Sequence, residues 1–318
     1  MNALKKILIA YDGSEPANLA IDDLCRAGLP EQAEALVVSV AEVWLPPPSG
    51  QETADNLEVV PPTPAAVRRM WARGEAQVKQ AGELAKRASK RLQHNFPGWK
   101  VQQAALTGSP AWELLRLDRE WQPSLIVVGS HGRTALGRFV LGSVSQQVLT
   151  EAHCSVRVAR GKTPVGEPPQ RIIVGFDGST SAMLAVSEVA SRHWTKGSEV
   201  QVVVVHDRLL PSSIDTSVPP LSQEVNEGND EARLWADKIG ERAASELRKS
   251  NLSVSTIIES GDPKRVLVGH ADDWGADSIF VGSTGLSSHL GGISLGSVSA
   301  AVAARSLCSV EVVRERQA

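Results

Sequence analysis

Two short glycine segments, Gly129-Ser130-His131-Gly132 and Gly142-Ser143-Val144-Ser145, stand nine residues apart near the middle of the chain. The first follows an apolar run, Leu125 to Val128, and the second opens a helical pattern. At such a junction unpaired backbone N–H groups and the positive end of a helix face outward, so an anion is stabilised without dedicated side chains. A phosphate chain fits that chemistry, and glycine lets its oxygens reach the backbone. Ser143 and Ser145 add hydroxyl donors in the first helical turn, although Ser143 also suits a plain N-cap. Arg133 and Arg138, in the spacer, bring positive charge to the loop or are solvated surface residues. His131 either contacts phosphate or is an exposed loop histidine. Asp12 closes the first apolar run, at the sheet edge where open α/β folds bind ligands. Its carboxylate can accept from a nucleotide's amine or hydroxyl, hold magnesium beside phosphates, or cap the helix starting near Pro16.

The elements that must position these groups are short Val/Ile/Leu-rich runs alternating with helical patterns. Ile7 to Ala10, Ala35 to Ala41, Trp99 to Leu106, Leu125 to Val128 and Ser155 to Ala159 read as strands buried on both faces. Pro16 to Ala27, Thr63 to Asn95, Pro110 to Trp121 and Gly142 to Ala152 read as helices. Such alternation predicts an α/β fold, an open five-stranded parallel sheet with helices on both faces. Leu45 to Pro64, with six prolines, reads as a lid or a poorly ordered excursion, and Leu209 to Asn229 is its counterpart. Trp71 and Trp235 fall in the long helices, where core or interface packing is the default.

The unit occurs twice. Lys6-Ile-Leu-Ile-Ala-Tyr-Asp-Gly-Ser14 returns as Arg171-Ile-Ile-Val-Gly-Phe-Asp-Gly-Ser179, and Leu141-Gly-Ser-Val-Ser145 as Leu295-Gly-Ser-Val-Ser299. Strands are expected again at Arg171 to Gly175, Val200 to His206, Val254 to Glu259, Ser278 to Val281 and Ser309 to Val313. The chain thus divides into residues 1–160, a Pro-bearing linker at 161–170, and residues 171–318. The second copy departs from the first in its loop, where ten residues rather than nine separate Gly285 from Gly296, with an added glycine at Gly291-Gly292. It also lacks the two arginines.

With Asp12 and the opening strand, the stretch Gly129 to Ser145 and the following Val148 to Val156 resemble the G-x2-G-x9-G-S/T nucleotide signature and closing strand of the universal stress protein family. The resemblance implies a Rossmann-like fold and binding of ATP or a related adenine nucleotide. It places Asp12 and Val40 near adenine and ribose. Gly129, Gly132, Gly142, Ser143 and Ser145 would hold the phosphates, with Val144 and Arg133 beside them. In the second copy the matching residues are Asp177, Val205, Gly282, Gly285, Gly296, Ser297 and Ser299. Tandem members of the family pair their halves internally, which implies an internal pseudo-dimer, and a homo-oligomer is compatible with it. The closing strands, short and β-branched, are the edges expected to pair.

Composition excludes several classes. At 318 residues the chain has room for two domains, and 42% hydrophobic with 22% charged residues describes an ordinary folded protein. Lys+Arg 33 against Asp+Glu 36 leaves a net charge of −3, with no positive field to gather nucleic acid or anionic lipid. No run of apolar residues is long enough to span a membrane, and no secretory signal is visible. Cys25, Cys154 and Cys308 are too few and scattered for a disulfide framework, so a cytoplasmic setting is expected. The seven histidines show no metal-ligand spacing. No nucleophile–base set can be ordered from the sequence. The expected function is a nucleotide-binding stress or signalling module whose ligand stabilises one conformation read by a protein partner; the alternative is a slow ATP hydrolase or phosphate-transferring enzyme.

Overall fold

The computed structural model describes residues 4–43, 65–132, 141–160, 168–206, 219–250, 252–285 and 295–315. In the first half β1 (Lys5–Ala10), α1 (Glu15–Asp23), β2 (Ala33–Ala41), α2 (Ala65–Asn95), β3 (Lys100–Thr107), α3 (Pro110–Glu120), β4 (Leu125–Gly129), α4 (Ser143–Glu151) and β5 (Ser155–Ala159) follow one another. The second half repeats the order with β6 (Arg171–Gly175), α5 (Thr180–Ala190), β7 (Glu199–His206), α6 (Pro219–Arg248), β8 (Ser253–Ser260), α7 (Pro263–Trp274), β9 (Ser278–Gly282), α8 (Ser297–Arg305) and β10 (Ser309–Val313).

Each half is a five-stranded parallel sheet, and the two are joined edge to edge into ten strands in the order β3-β2-β1-β4-β5-β10-β9-β6-β7-β8. The joint is antiparallel, with Val158 opposite Val310, Arg157 opposite Glu311 and Val156 opposite Val312. Each closing strand covers the other's unpaired backbone edge. Successive residues of a strand point to opposite faces, so Leu8 and Val128 join one core while Ile7, Ile9 and Val127 join another. The first of these cores is continuous across the joint, combining Leu114, Val148 and Val156 with Val302, Val310 and Val312. The opposite face carries a separate core in each half, under α1 and α2 or under α5 and α6.

The excursion expected at Leu45 to Pro64 lies outside the described residues, as do residues 161–167 of the linker. Its counterpart is shorter than expected, because α6 starts at Pro219. Pro219 and Pro220 sit in the first helical turn, where a missing N–H breaks no intrahelical bond and the fixed φ suits the helix. Trp235, expected in core or interface packing, is 44% exposed on α6 and so is not a core residue of this chain. Among the described residues no helix is long and apolar enough to cross a membrane.

Candidate functional site

The first half holds a cavity of about 560 Å³ at the carboxyl edge of its sheet. Its floor comes from the ends of three parallel strands: Ala10, Tyr11 and Asp12 after β1, Val38 to Glu42 along and after β2, and Val128 and Gly129 of β4. This is the crevice where the strand order turns back, with β1 between β2 and β4. One wall is the glycine loop and the start of α4, from His131-Gly132 to Leu141-Gly142-Ser143-Val144-Ser145. The other is α2, through Gln77, Gln80, Ala81 and Leu84, with Pro110 and Leu114 of α3 closing the end.

Asp12 is held by an Asx turn: its Oδ1 accepts from the Ser14 N–H at 2.9 Å. Ser14, not Asp12, caps α1, its hydroxyl accepting from the Ala17 N–H at 3.2 Å. Between them Gly13 takes φ +80, a left-handed value that lets the chain turn sharply off the strand. The carboxylate therefore stays at the strand end and faces the glycine loop. A Cβ on Gly132 would stand 3.1 Å from Asp12 Oδ2, so the loop backbone lies directly against that carboxylate.

The loop is closed at its base by the Gly142 N–H, which donates to Ser130 O at 2.9 Å. Gly142 is the N-cap of α4 and offers no side chain to the first turn. Ser143 is therefore the first helical residue, and the N–H groups of Ser143, Val144 and Ser145 have no intrahelical acceptor. The first bond back into the helix runs from Gln146 N–H to Gly142 O at 2.8 Å. Ser145 departs from its expected role as a phosphate donor. Its hydroxyl donates to Gly129 O at 2.7 Å and is buried, tying the helix start to the end of β4. Ser299 repeats this with Gly282 O at 2.6 Å.

The cavity brings together Asp12, Val40, Gly129, Gly132, Gly142, Ser143, Val144 and Ser145 from segments more than a hundred residues apart. His131 joins them, its ring Nδ1 paired with the Ser130 hydroxyl at 2.9 Å. Arg133 lies outside the described residues, as do Arg138 and the Gly291-Gly292 insertion. Sequence reasoning missed the α2 wall, since Gln77, Gln80, Ala81 and Leu84 belong to an unremarkable amphipathic helix that only the crossover between β2 and β3 lays over the crevice. In the second half, Asp177 Oδ1 accepts from Ser179 N–H at 2.9 Å, and Gly296 N–H donates to Ser283 O at 2.6 Å. A Cβ on Gly285 would stand 2.9 Å from Asp177 Oδ2, so this copy builds the same frame. Val205, in β7 opposite Glu259, packs against the shared core, and Gly282 closes β9 beneath Ser297 and Ser299 of α8.

Known proteins match this chain in sequence and in fold. The sequence model described as Universal stress protein family matches residues 3–160 and again residues 169–314. A universal stress protein of Mycolicibacterium smegmatis is 28% identical over 313 residues, covering 98% of this chain and 97% of that protein. Universal stress protein Rv2623 of Mycobacterium tuberculosis is 28% identical over 320 residues, covering 99% and 98%. Among solved structures, a universal stress protein from Archaeoglobus fulgidus has the same fold, with a TM-score of 0.60 at 21% identity over 98% of this chain and 97% of that one. With the family model matched twice over nearly the whole length, the chain belongs to the universal stress protein family.

Proposed function

We propose that the cavity of the first half binds an adenine nucleotide, and that the bound nucleotide stabilises one conformation of the chain for a protein partner to read. The observation that carries the reading is the cavity itself: apolar strand-end residues and the first turn of α4, whose leading N–H groups have no intrahelical acceptor, line one volume of about 560 Å³. Ala10, Val38, Val40 and Leu114 offer the base an apolar slot, while Asp12 faces the sugar. Gly132, Gly142, Ser143 and Val144 present backbone to the phosphates, where the α4 dipole adds to the attraction. Asp12 also suits magnesium, which takes one carboxylate together with phosphate oxygens and water. The cation would neutralise phosphate charge beside the loop. ATP, rather than a shorter nucleotide, is the ligand proposed, because the sequence between Gly132 and Gly142 carries two arginines, Arg133 and Arg138, whose charge suits a longer phosphate chain.

The test is mass spectrometry of small molecules released from the purified protein, followed by calorimetric titration with ATP and AMP. Stoichiometric adenine nucleotide supports the reading; no release and no heat with either ligand overturns it. Incubation with ATP over hours separates a binding module, which keeps its triphosphate, from a hydrolase, which releases phosphate.

A further inference from the structure

We infer that the second half sets the position of α4 through Arg314, and with it the nucleotide affinity of the first half. The inference rests on the nucleotide reading above and concerns how that site is regulated. The nine residues of α4, Ser143–Glu151, begin with a turn that faces the cavity. So short a helix gains little from its own hydrogen bonds, and its placement depends on packing and on what holds its two ends. At the far end the chain leaves through Ala152 at φ −68 and ψ 144, with no left-handed residue to fold back over the last carbonyls. The Ala152 N–H still reaches Val148 O at 3.0 Å. The next donor, the His153 N–H, goes instead to Asp118 Oδ2 at 2.7 Å, which leaves Leu149 O without its helical partner. Arg314 Nη2 donates to that carbonyl at 2.5 Å.

Arg314 belongs to the other half, and the antiparallel joint brings it here. The two closing strands run against each other with Val312 opposite Val156, so the residues that follow β10 arrive beside the start of β5, just past α4. There the Arg314 N–H donates to the Ser155 hydroxyl at 3.1 Å. Its side chain is partly buried; burial lowers its pKa, while Cys154 and Asp118 favour the charged form. Among the described residues Nε and Nη1 have no hydrogen-bond acceptor, so the guanidinium is committed to Leu149 O. A cation at this end also complements the α4 dipole, whose positive end meets the cavity. The exchange is mutual: after β5, the Arg160 N–H donates to the Ser309 hydroxyl at 2.9 Å and Nη2 to Ala304 O of α8 at 3.3 Å. Each half therefore holds the last turn of the other's glycine-led helix. Coupling between two sites is reciprocal, so a ligand that fixes α4 also favours the docked joint.

Hydrogen exchange followed by mass spectrometry on the full chain tests this, because peptides covering α4 report the first half alone. Without nucleotide, Arg314→Met should speed exchange across α4 and leave β1 and β4 as in the parent chain. Titrated with ATP and read at the same peptides, it should bind about tenfold more weakly, the worth of one charge-assisted hydrogen bond. Arg314→Lys, which keeps the charge and a donor, should recover most of both losses; a lysine no better than methionine overturns the role of the cation. Arg160→Met removes the matching arginine of the joint, which caps α8 instead, and should leave α4 exchange and first-half affinity unchanged. Parent-like α4 exchange or affinity in Arg314→Met overturns the inference, and so does an equal loss in Arg160→Met, which would trace the effect to a looser joint. If Arg314→Met does not fold, Arg314→Gln, too short to reach Leu149 O, is read in its place by the same outcomes. If the unmodified chain binds no nucleotide, the proposed function fails and α4 exchange decides alone: faster exchange in the variant upholds Arg314 as the clamp on α4, and equal exchange overturns it.

Discussion

Arg157 and Glu311 face each other across the antiparallel joint of the two halves, 3.4 Å apart and almost wholly excluded from water at 1% and 0% exposure. Around them Asp23 accepts from Arg157 Nε at 2.6 Å and from the Ser309 hydroxyl at 2.7 Å. Arg192 reaches both Glu311 and Glu188, and Lys5 pairs with Glu188. One face of the joint is thus apolar, through Val156, Val158, Val310 and Val312, while the other is an ion network. Burial works against the charge on Arg157, yet the attraction of Asp23 and Glu311 outweighs it and raises its pKa.

Removing one member leaves its partners charged and dry. Arg157→Met should cost about 3–5 kcal/mol in urea denaturation, since Asp23 and Glu311 lose their cation. Adding Asp23→Asn and Glu311→Gln to that variant should recover part of the loss. An Arg157→Met chain as stable as the parent would show that the network contributes nothing to holding the halves together.

The same network predicts a loss of stability in acid. Burial alone would raise the Glu188 pKa, but Arg192 and Lys5 together hold it at about 2, against 4.5 for the ordinary group. A depressed carboxylate contributes stability that is fully present above pH 4.5 and is lost as pH falls through 2. Urea midpoints measured from pH 5 to pH 2 should fall more steeply for the parent chain than for Glu188→Gln. Parallel curves would remove Glu188 from the account.

The cradle should tolerate no side chain. A Cβ at Gly142 would stand 3.2 Å from His131 Cα, and one at Gly132 would stand 3.1 Å from Asp12 Oδ2. Gly142→Leu and Gly132→Val should each weaken nucleotide binding by about a hundredfold or more, roughly 2.7 kcal/mol, with an unchanged circular dichroism spectrum. Unaltered affinity in both would remove the loop from the site.

Ser145→Ala should act on the frame rather than on the ligand. It leaves Gly129 O without the hydroxyl that donates to it at 2.7 Å, a buried loss of about 1–3 kcal/mol. Thermal unfolding should show that loss with or without nucleotide. A change seen only in the presence of ligand would return Ser145 to the phosphate.

The cysteines should separate by reactivity. Cys25 is exposed, whereas Cys154 and Cys308 are buried, and burial, together with the charge of Asp272, pushes the Cys308 thiol up to about 12. At pH 8 its thiolate fraction is on the order of one part in ten thousand. Iodoacetamide should label the native chain once, at Cys25, and all three positions after denaturation. Rapid native labelling of Cys308 would contradict its burial.

Local chemistry makes the repeats, the strands and the glycine loop legible in the sequence. Asp12 and the Gly129–Ser145 stretch could be read because their residue types carry backbone consequences: glycine where a chain must come close, and a carboxylate beside a strand end. The apolar runs of β1, β4 and β9 likewise announce burial on both faces. What no spacing carries is which distant groups meet. The lining by Gln77, Gln80, Ala81 and Leu84 depends on a crossover that brings α2 back over β1 and β2, and their types are those of any amphipathic helix. Arg157 and Glu311 read as the polar residues of alternating strands, which face solvent unless something covers them. Pairing β5 with β10 under α1 and α5 covers them, and the same burial selects Asp23 and Arg192 as their partners. The sequence determined what each segment could do, because backbone preference and side-chain chemistry are local; tertiary structure alone decided which of those capacities share one dry, low-dielectric space, where separation and burial set their strength.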